Sequence, residues 1–86
     1  MTYDLCDGVS TAETDTGLTL LDERTGEYFN LNPTGALVLD ALLSGGTTDH
    51  AVERLMSTYR IDRATAQTDV GDLVGALESA GLVVSR

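Results

Sequence analysis

The fold of this 86-residue chain is most tightly constrained by Glu27-Tyr28-Phe29-Asn30-Leu31-Asn32-Pro33-Thr34-Gly35-Ala36-Leu37-Val38-Leu39. The aromatic pair within its first five residues is typical of a strand. Asn32 is a favourable N-cap, and Pro33 is tolerated at the first helical position because its missing N–H would be unpaired there anyway. The stretch therefore predicts a strand over Glu27–Leu31 that passes directly into a helix over about Pro33–Leu43.

Two more strands are predicted upstream. Leu18–Asp22 is rich in β-compatible residues, and the loop Glu23-Arg24-Thr25-Gly26, whose glycine can adopt φ > 0, joins it to Glu27–Leu31 as a hairpin. Val9–Thr14 is predicted as the first strand, with a turn at Asp15-Thr16-Gly17. The segment before Val9 has no such pattern, so residues 1–8 are left as a candidate flexible segment.

Two more helices are predicted downstream. Gly45 and Gly46 end the first helix, Thr47 or Thr48 caps the second, and Asp62 caps the third, which Gly81 ends. Both helices have apolar residues at helical spacing: Ala51, Val52, Leu55, Met56 and Tyr59, then Ala66, Val70, Leu73, Val74 and Leu77. We therefore predict one α+β domain over residues 1–86, with an N-terminal three-stranded antiparallel sheet followed by a three-helix, winged helix-turn-helix-like bundle.

The negative charge of the chain limits the classes of partner that it is expected to bind. The formal net charge is −9, from fourteen acidic residues against five arginines and no lysine. Such a field repels phosphate backbones and anionic lipid and attracts basic peptides. Apolar runs such as Ala36–Leu39 are far shorter than the roughly 20 residues that span a bilayer, and no signal peptide is evident. We expect a cytoplasmic protein with a basic peptide partner, and no nucleic-acid or membrane partner.

No site for catalysis is predicted. Cys6 is the single cysteine and His50 the single histidine, and neither has a partner at a metal-ligand or nucleophile–base spacing. Gly45-Gly46 lacks the lysine of a phosphate-binding loop. The sequence therefore predicts a non-enzyme with no catalytic residue, no metal site and no cofactor.

The predicted third strand, Glu27–Leu31, is the most suggestive feature for binding. In a sequential meander it lies at an edge, and it contains no lysine, proline or bulge to protect that edge. If the third helix packs beside it, a cleft opens between the strand and Asp69, Leu73, Ala76 and also Asp72. An extended peptide fits such a cleft. The alternatives are a merely tolerated edge and, for Asp69 and Asp72, an ordinary solvated helix face.

The run Leu20–Ala36 resembles the pattern of the PqqD family. The resemblance continues through Gly46-Thr47, Asp69-Val70, Leu73, Leu77 and Ala80-Gly81-Leu82-Val83, and it covers roughly residues 9 to 84. The run Asn32–Leu39 is especially similar to the stand-alone recognition proteins of lasso-peptide biosynthesis.

This resemblance implies a precursor-peptide recognition element without catalytic residues. In the family, a leader peptide adds as a fourth strand to the third strand and rests against the third helix. Members work with a leader-removing cysteine protease and an ATP-dependent, asparagine-synthetase-like cyclase. Carried onto this chain, the resemblance implies leader contacts at Glu27, Tyr28, Phe29, Asn30, Leu31, Asp69, Val70, Asp72, Leu73, Ala76 and Leu77.

The sequence is less consistent with two other functions. A winged-helix nucleic-acid-binding regulator is disfavoured because its recognition helix, Asp62–Ala80, has only one basic residue, Arg63. A small carrier domain is disfavoured because Ser44, Ser57 and Ser79 lack an Asp-Ser-Leu-type attachment motif. The sequence leaves open the precursor peptide, the class of product and the oligomeric state.

Overall fold

A computed structural model describes residues 2–85 and confirms the predicted α+β class. The elements, in order, are β1 (Tyr3–Leu5), β2 (Val9–Thr14), β3 (Gly17–Asp22), β4 (Glu27–Leu31), α1 (Pro33–Leu43), α2 (Thr48–Tyr59), α3 (Arg63–Ser79) and β5 (Val83–Ser85). The predicted three strands are β2, β3 and β4, which form an antiparallel sheet in that order. Three helices follow them.

The first hairpin depends on Gly17. A two-residue turn joins β2 to β3, with Thr14 opposite Gly17. Gly17 has φ 147°, and a Cβ at this position would collide with the Leu31 carbonyl oxygen. A glycine is therefore required here for two reasons: the backbone conformation, and the close approach of the chain where β4 ends.

Helix ends form largely at the predicted caps. The Asn32 side chain accepts a hydrogen bond from the Gly35 amide at 2.8 Å, and the Thr47 hydroxyl accepts one from the His50 amide at 3.2 Å. Asp62 holds the N-cap position of α3, although without a side-chain cap hydrogen bond. Within residues 2–85, none of the helices is both long and apolar enough to cross a membrane.

The core consists of two clusters, and α1 and α3 contribute to both. The first cluster lies among the helices and contains Val38, Ala41, Leu42, Ala51, Val52, Leu55, Ala66, Val70 and Val74. The second joins the sheet to the helices and contains Leu20, Leu31, Leu39, Leu77, Leu82 and Val83. Because each fully buried leucine contributes roughly 1.5–3 kcal/mol, the second cluster fixes α3 beside the sheet.

A second, two-stranded sheet joins the two ends of the chain. β1 pairs with β5 in antiparallel register, with Tyr3 opposite Ser85, and the Cys6 amide donates to the Leu82 carbonyl at 2.9 Å. Residues 1–8 were predicted as a candidate flexible segment, whereas the structure forms a strand at Tyr3–Leu5; Met1 lies outside the described residues. Three-residue strands are too short to show an alternating pattern, so this pairing had no local signal.

Candidate functional site

β4 lies at the edge of the three-stranded sheet, as predicted for Glu27–Leu31. Its partner is β3, and the opposite side of β4 pairs with no strand among the described residues. None of its five residues is lysine or proline, which are common guards of exposed edges. The strand is therefore available for pairing with another chain.

The hydrogen-bond register of the sheet can be read from its first hairpin. In an antiparallel pair, opposed residues alternate between hydrogen-bonded and non-hydrogen-bonded positions. The Glu23 amide donates to the Gly8 carbonyl at 2.8 Å, one step beyond the Val9–Asp22 pair, and the Val9 amide donates to the Cys6 carbonyl instead. The even-numbered residues of β3 therefore direct their N–H and C=O groups toward β4.

This register decides which backbone groups of β4 are free. Glu27, Phe29 and Leu31 are opposite the even-numbered residues of β3, so their N–H and C=O groups face β3. Tyr28 and Asn30 direct theirs outward. The edge thus offers two donors and two acceptors at the spacing that an added strand requires.

The side chains of β4 divide between two faces. Phe29 and Leu31 lie on the helix side, where Leu31 is buried and Phe29 is half-buried against the second core cluster. Tyr28 and Asn30 lie on the other face; Tyr28 is 69% exposed, and the Asn30 side chain accepts a hydrogen bond from the Thr19 hydroxyl at 2.7 Å. Phe29 is therefore the β4 side chain placed to contact a peptide on the helix side.

The predicted residues of α3 also divide into two groups. Asp69, Asp72 and Ala76 are exposed and Leu73 is half-buried. Val70 and Leu77 are 1% and 0% exposed and belong to the core, so they support the helix from beneath and a peptide has no access to their side chains. The family resemblance implied all six as leader contacts, and the helical spacing of the apolar ones could not separate the core from the rim.

A recess of about 470 Å³ lies between α3 and the start of α1. We call it the acidic recess. It is lined by Asn32, Thr34, Gly35, Val38, Asp69, Asp72 and Leu73. The structure thus brings Asp69, Asp72 and Leu73 together, but they face the start of α1 and not β4 as predicted, because α1 packs between the end of β4 and α3. The other four lining residues were not predicted at the site.

A smaller recess of about 120 Å³ lies between β4 and the end of α3. We call it the strand recess. It is lined by Asp22, Thr25, Glu27, Tyr28, Phe29, Ala80 and Leu82. Ala80 and Leu82 were not predicted at the site, because in the sequence they mark the end of the helix and the apolar tail.

Charge in the acidic recess is uncompensated. Within residues 2–85, the ion pairs are Arg24–Asp22 and Arg54–Asp40, and neither involves Asp69 or Asp72. Two carboxylates beside the half-buried Leu73 favour a ligand with both a basic and an apolar side chain.

Comparison with known proteins identifies the family. The family model described as "Coenzyme PQQ synthesis protein D (PqqD)" matches residues 17–83. The chain belongs to the PqqD family. Among curated proteins, a search finds no significant match.

Two solved structures resemble this PqqD-family chain along its length. "Lasso peptide synthetase B1 complexed with the leader peptide" is 36% identical, with a TM-score of 0.92 over 99% of this chain and 100% of that one. "TbiB1 in Complex with the TbiA(beta) Leader Peptide" is 29% identical, with a TM-score of 0.87 over 100% and 98%. Both are similar proteins solved with a leader peptide.

The candidate catalytic and metal-binding residues of this PqqD-family chain lie apart. Cys6 is half-buried beside β5, whereas His50 lines a shallow surface recess on α2 with Glu53 and Arg54. In the described part of the chain, no three His, Cys, Asp or Glu side chains are grouped to hold a metal ion. The candidate site is therefore the free edge of β4 together with the strand recess and the acidic recess, which we call the groove.

Proposed function

We propose that this protein binds the leader segment of a ribosomally made precursor peptide, which adds as a strand to β4 and packs its side chains against α3. The observation that carries the proposal is the outward-facing backbone of Tyr28 and Asn30 beside the groove. A chain 36% identical to this one, the lasso peptide synthetase B1, was solved with a leader peptide. We accordingly place the function in lasso-peptide biosynthesis.

The groove offers different chemistry at its two recesses. Main-chain hydrogen bonds to β4 give affinity without dependence on sequence, and pockets for alternate side chains give specificity. Phe29 in the strand recess and Leu73 in the acidic recess provide half-buried apolar surface, suited to aromatic or aliphatic leader residues. Asp69 and Asp72 suit a lysine or arginine of the leader. The preferred leader therefore combines apolar anchors with a basic residue.

The protein acts without catalysis in this proposal. It holds the leader for a separate leader-removing cysteine protease and an ATP-dependent, asparagine-synthetase-like cyclase, in the cytoplasm where the precursor is made. Support comes from the two similar proteins that were solved with a leader peptide, and from recess walls that offer apolar side chains and carboxylates to a peptide. Activity of the protease and cyclase on the precursor should therefore depend on this protein.

Hydrogen exchange tests the proposed strand addition residue by residue. On adding the leader peptide of the B1 complex, the amides of Tyr28 and Asn30 should exchange more slowly, because they gain partners. The amide of Phe29, already bonded to β3, should change less, and α2 should change little. Protection confined to α2, or equal at all β4 amides, would exclude strand addition at this edge.

A further inference from the structure

Arg24 ties together three segments that are distant in sequence. Its Nε donates to Asp22 Oδ1 at 2.9 Å and one terminal nitrogen to Oδ2 at 3.1 Å. The same terminal nitrogen donates to the Gly81 carbonyl at 2.8 Å. The aliphatic part of the Arg24 side chain also passes close to Gly8 in the β1–β2 loop. A Cβ at Gly8 would lie 2.9 Å from Arg24 Cγ. The guanidinium therefore links the end of β3 to the turn after α3.

This link crosses one end of the groove. The strand recess is lined by Asp22 and β4 residues on one side and by Ala80 and Leu82 on the other. Arg24 bonds to Asp22 on the first side and to Gly81, between Ala80 and Leu82, on the second. The hydrogen bond from Arg24 to the Gly81 carbonyl therefore joins the two walls of the strand recess.

We propose that Arg24 is a positioning residue for leader binding: it holds the end of α3 at the distance from β4 that a docked strand requires. This inference rests on the proposed function. Arginine is suited to the role because its planar fork binds a carboxylate through two N–H groups and keeps others for a carbonyl. Asp22 is only 7% exposed, so the surrounding atoms hold its carboxylate in the orientation that binds Arg24.

Loss of the Arg24 hydrogen bonds to Asp22 and Gly81 should weaken leader binding without removing any contact to the leader. Without Arg24, the end of α3 and β4 adopt a range of separations, and only a fraction of molecules has the binding-competent one. Apparent affinity falls in proportion to that fraction, so a competent fraction of about one fifth gives about a fivefold loss.

The test compares two arginine variants by fluorescence anisotropy with the labelled leader peptide of the B1 complex. Arg24→Gln should raise Kd about fivefold or more. Arg54→Gln is the matched control: it makes the same charge change and breaks the other ion pair, with Asp40, away from β4 and α3. Its Kd should change less than about twofold. Failure of the wild-type protein to bind would count against the proposed function itself, whereas equal Kd values for wild type and Arg24→Gln would overturn only the role of Arg24.

Two further variants separate positioning from folding. Arg24→Gln leaves Asp22 buried and unpaired, so the double variant Asp22→Asn/Arg24→Gln should recover thermal stability while its affinity stays low. Recovery of both would overturn the proposal. Val52→Ala lowers the thermal midpoint from within the helical core, at a residue that does not line the strand recess, and should leave Kd unchanged. If it weakens binding as much as Arg24→Gln does, general destabilisation explains the effect and the proposal is wrong.

Discussion

The three-stranded sheet has two open edges, β4 and β2, and both border a recess. By the same register that frees Tyr28 and Asn30, Thr11 and Glu13 of β2 direct their backbone groups outward. Beside β2 lies a recess of about 280 Å³ against α1, lined by apolar residues such as Leu43 and by Glu13 and Asp40. Neither edge carries lysine or proline.

The edges differ in the wall that faces them. Just beyond the end of β4, where Asn32 lines the acidic recess, α3 presents the half-buried Leu73 with two carboxylates that no ion pair in residues 2–85 engages, and Arg24 bonds to Gly81 just after that helix. Opposite β2, Asp40 is already paired with Arg54 at 3.0 Å. The family match also begins at residue 17, after β2. An unpaired edge thus supplies generic affinity, and the adjoining wall decides whether a particular peptide binds there.

The largest expected effect comes from a proline substitution in the β4 edge, with the same substitution in the β2 edge as the control. Asn30→Pro removes an outward N–H of β4 and places a ring where the added strand lies, so leader affinity should fall about a hundredfold, roughly 3 kcal/mol. Thr11→Pro makes the equivalent change on β2 and should leave affinity unchanged. Titration calorimetry measures both, with circular dichroism to verify folding.

A third proline variant checks the register. The Phe29 amide faces β3, so Phe29→Pro should disrupt the sheet instead of acting on binding alone. Equal loss of affinity from Asn30→Pro and Thr11→Pro would show that the β4 and β2 edges do not differ in leader binding.

The next effect is the apolar anchor on α3. Leu73→Ala should weaken leader binding by about 2 kcal/mol, close to thirtyfold, mainly through faster dissociation. Leu43→Ala, a half-buried leucine of the recess beside β2, is the matched control and should leave affinity unchanged. Surface plasmon resonance measures the dissociation rates. Because Leu73 packs against both core clusters, unfolding of Leu73→Ala would assign it to the core instead of the groove.

A smaller effect is expected from the acidic recess. Asp69→Asn should reduce affinity a few-fold, since a partly exposed ion pair contributes on the order of 0.2–1 kcal/mol, and should act chiefly on the association rate. Glu13→Gln, on the β2 side, should have no effect. Stopped-flow measurements between about 0.05 and 0.5 M salt, over which the screening length shrinks roughly threefold, provide the check. Binding that does not depend on salt would show that Asp69 and Asp72 belong to an ordinary solvated helix face and do not bind the leader.

The smallest expected effect is a loss of local stability around the strand recess at low pH. Hydrogen bonding from the Arg24 side chain lowers the pKa of Asp22 below 3.8. A lowered folded-state pKa stabilises the protein above the unfolded pKa, and this contribution is lost as pH falls through the folded value. Below about pH 4, amides around the strand recess should therefore lose protection before those of β2. Pulsed hydrogen exchange from pH 6 to pH 2 measures the order. In Asp22→Asn/Arg24→Gln this difference should vanish; its persistence would assign the acid sensitivity to other carboxylates.

The sequence predicted the strands and helices well where their signals were local. Asn32 and Pro33 mark the start of α1, and the Gly26 loop joins β3 to β4, because caps and hairpin turns depend on adjacent residues. The β1–β5 pairing was missed because it joins opposite ends of the chain through two three-residue strands. Val70 and Leu77 were predicted at the groove together with Leu73, although they are buried. Helical spacing identifies an apolar stripe, but only packing shows which part of it remains accessible.

The sequence alone thus established the fold class, the family and the unguarded edge strand, since each rests on residue types and short spacings. Tertiary structure decided the rest. It showed that Tyr28 and Asn30 have the free backbone groups, because that depends on a register propagated from Gly8 and Glu23. It also joined Arg24 to Gly81, 57 residues away, a contact that exists only after the sheet and α3 have packed on their shared core.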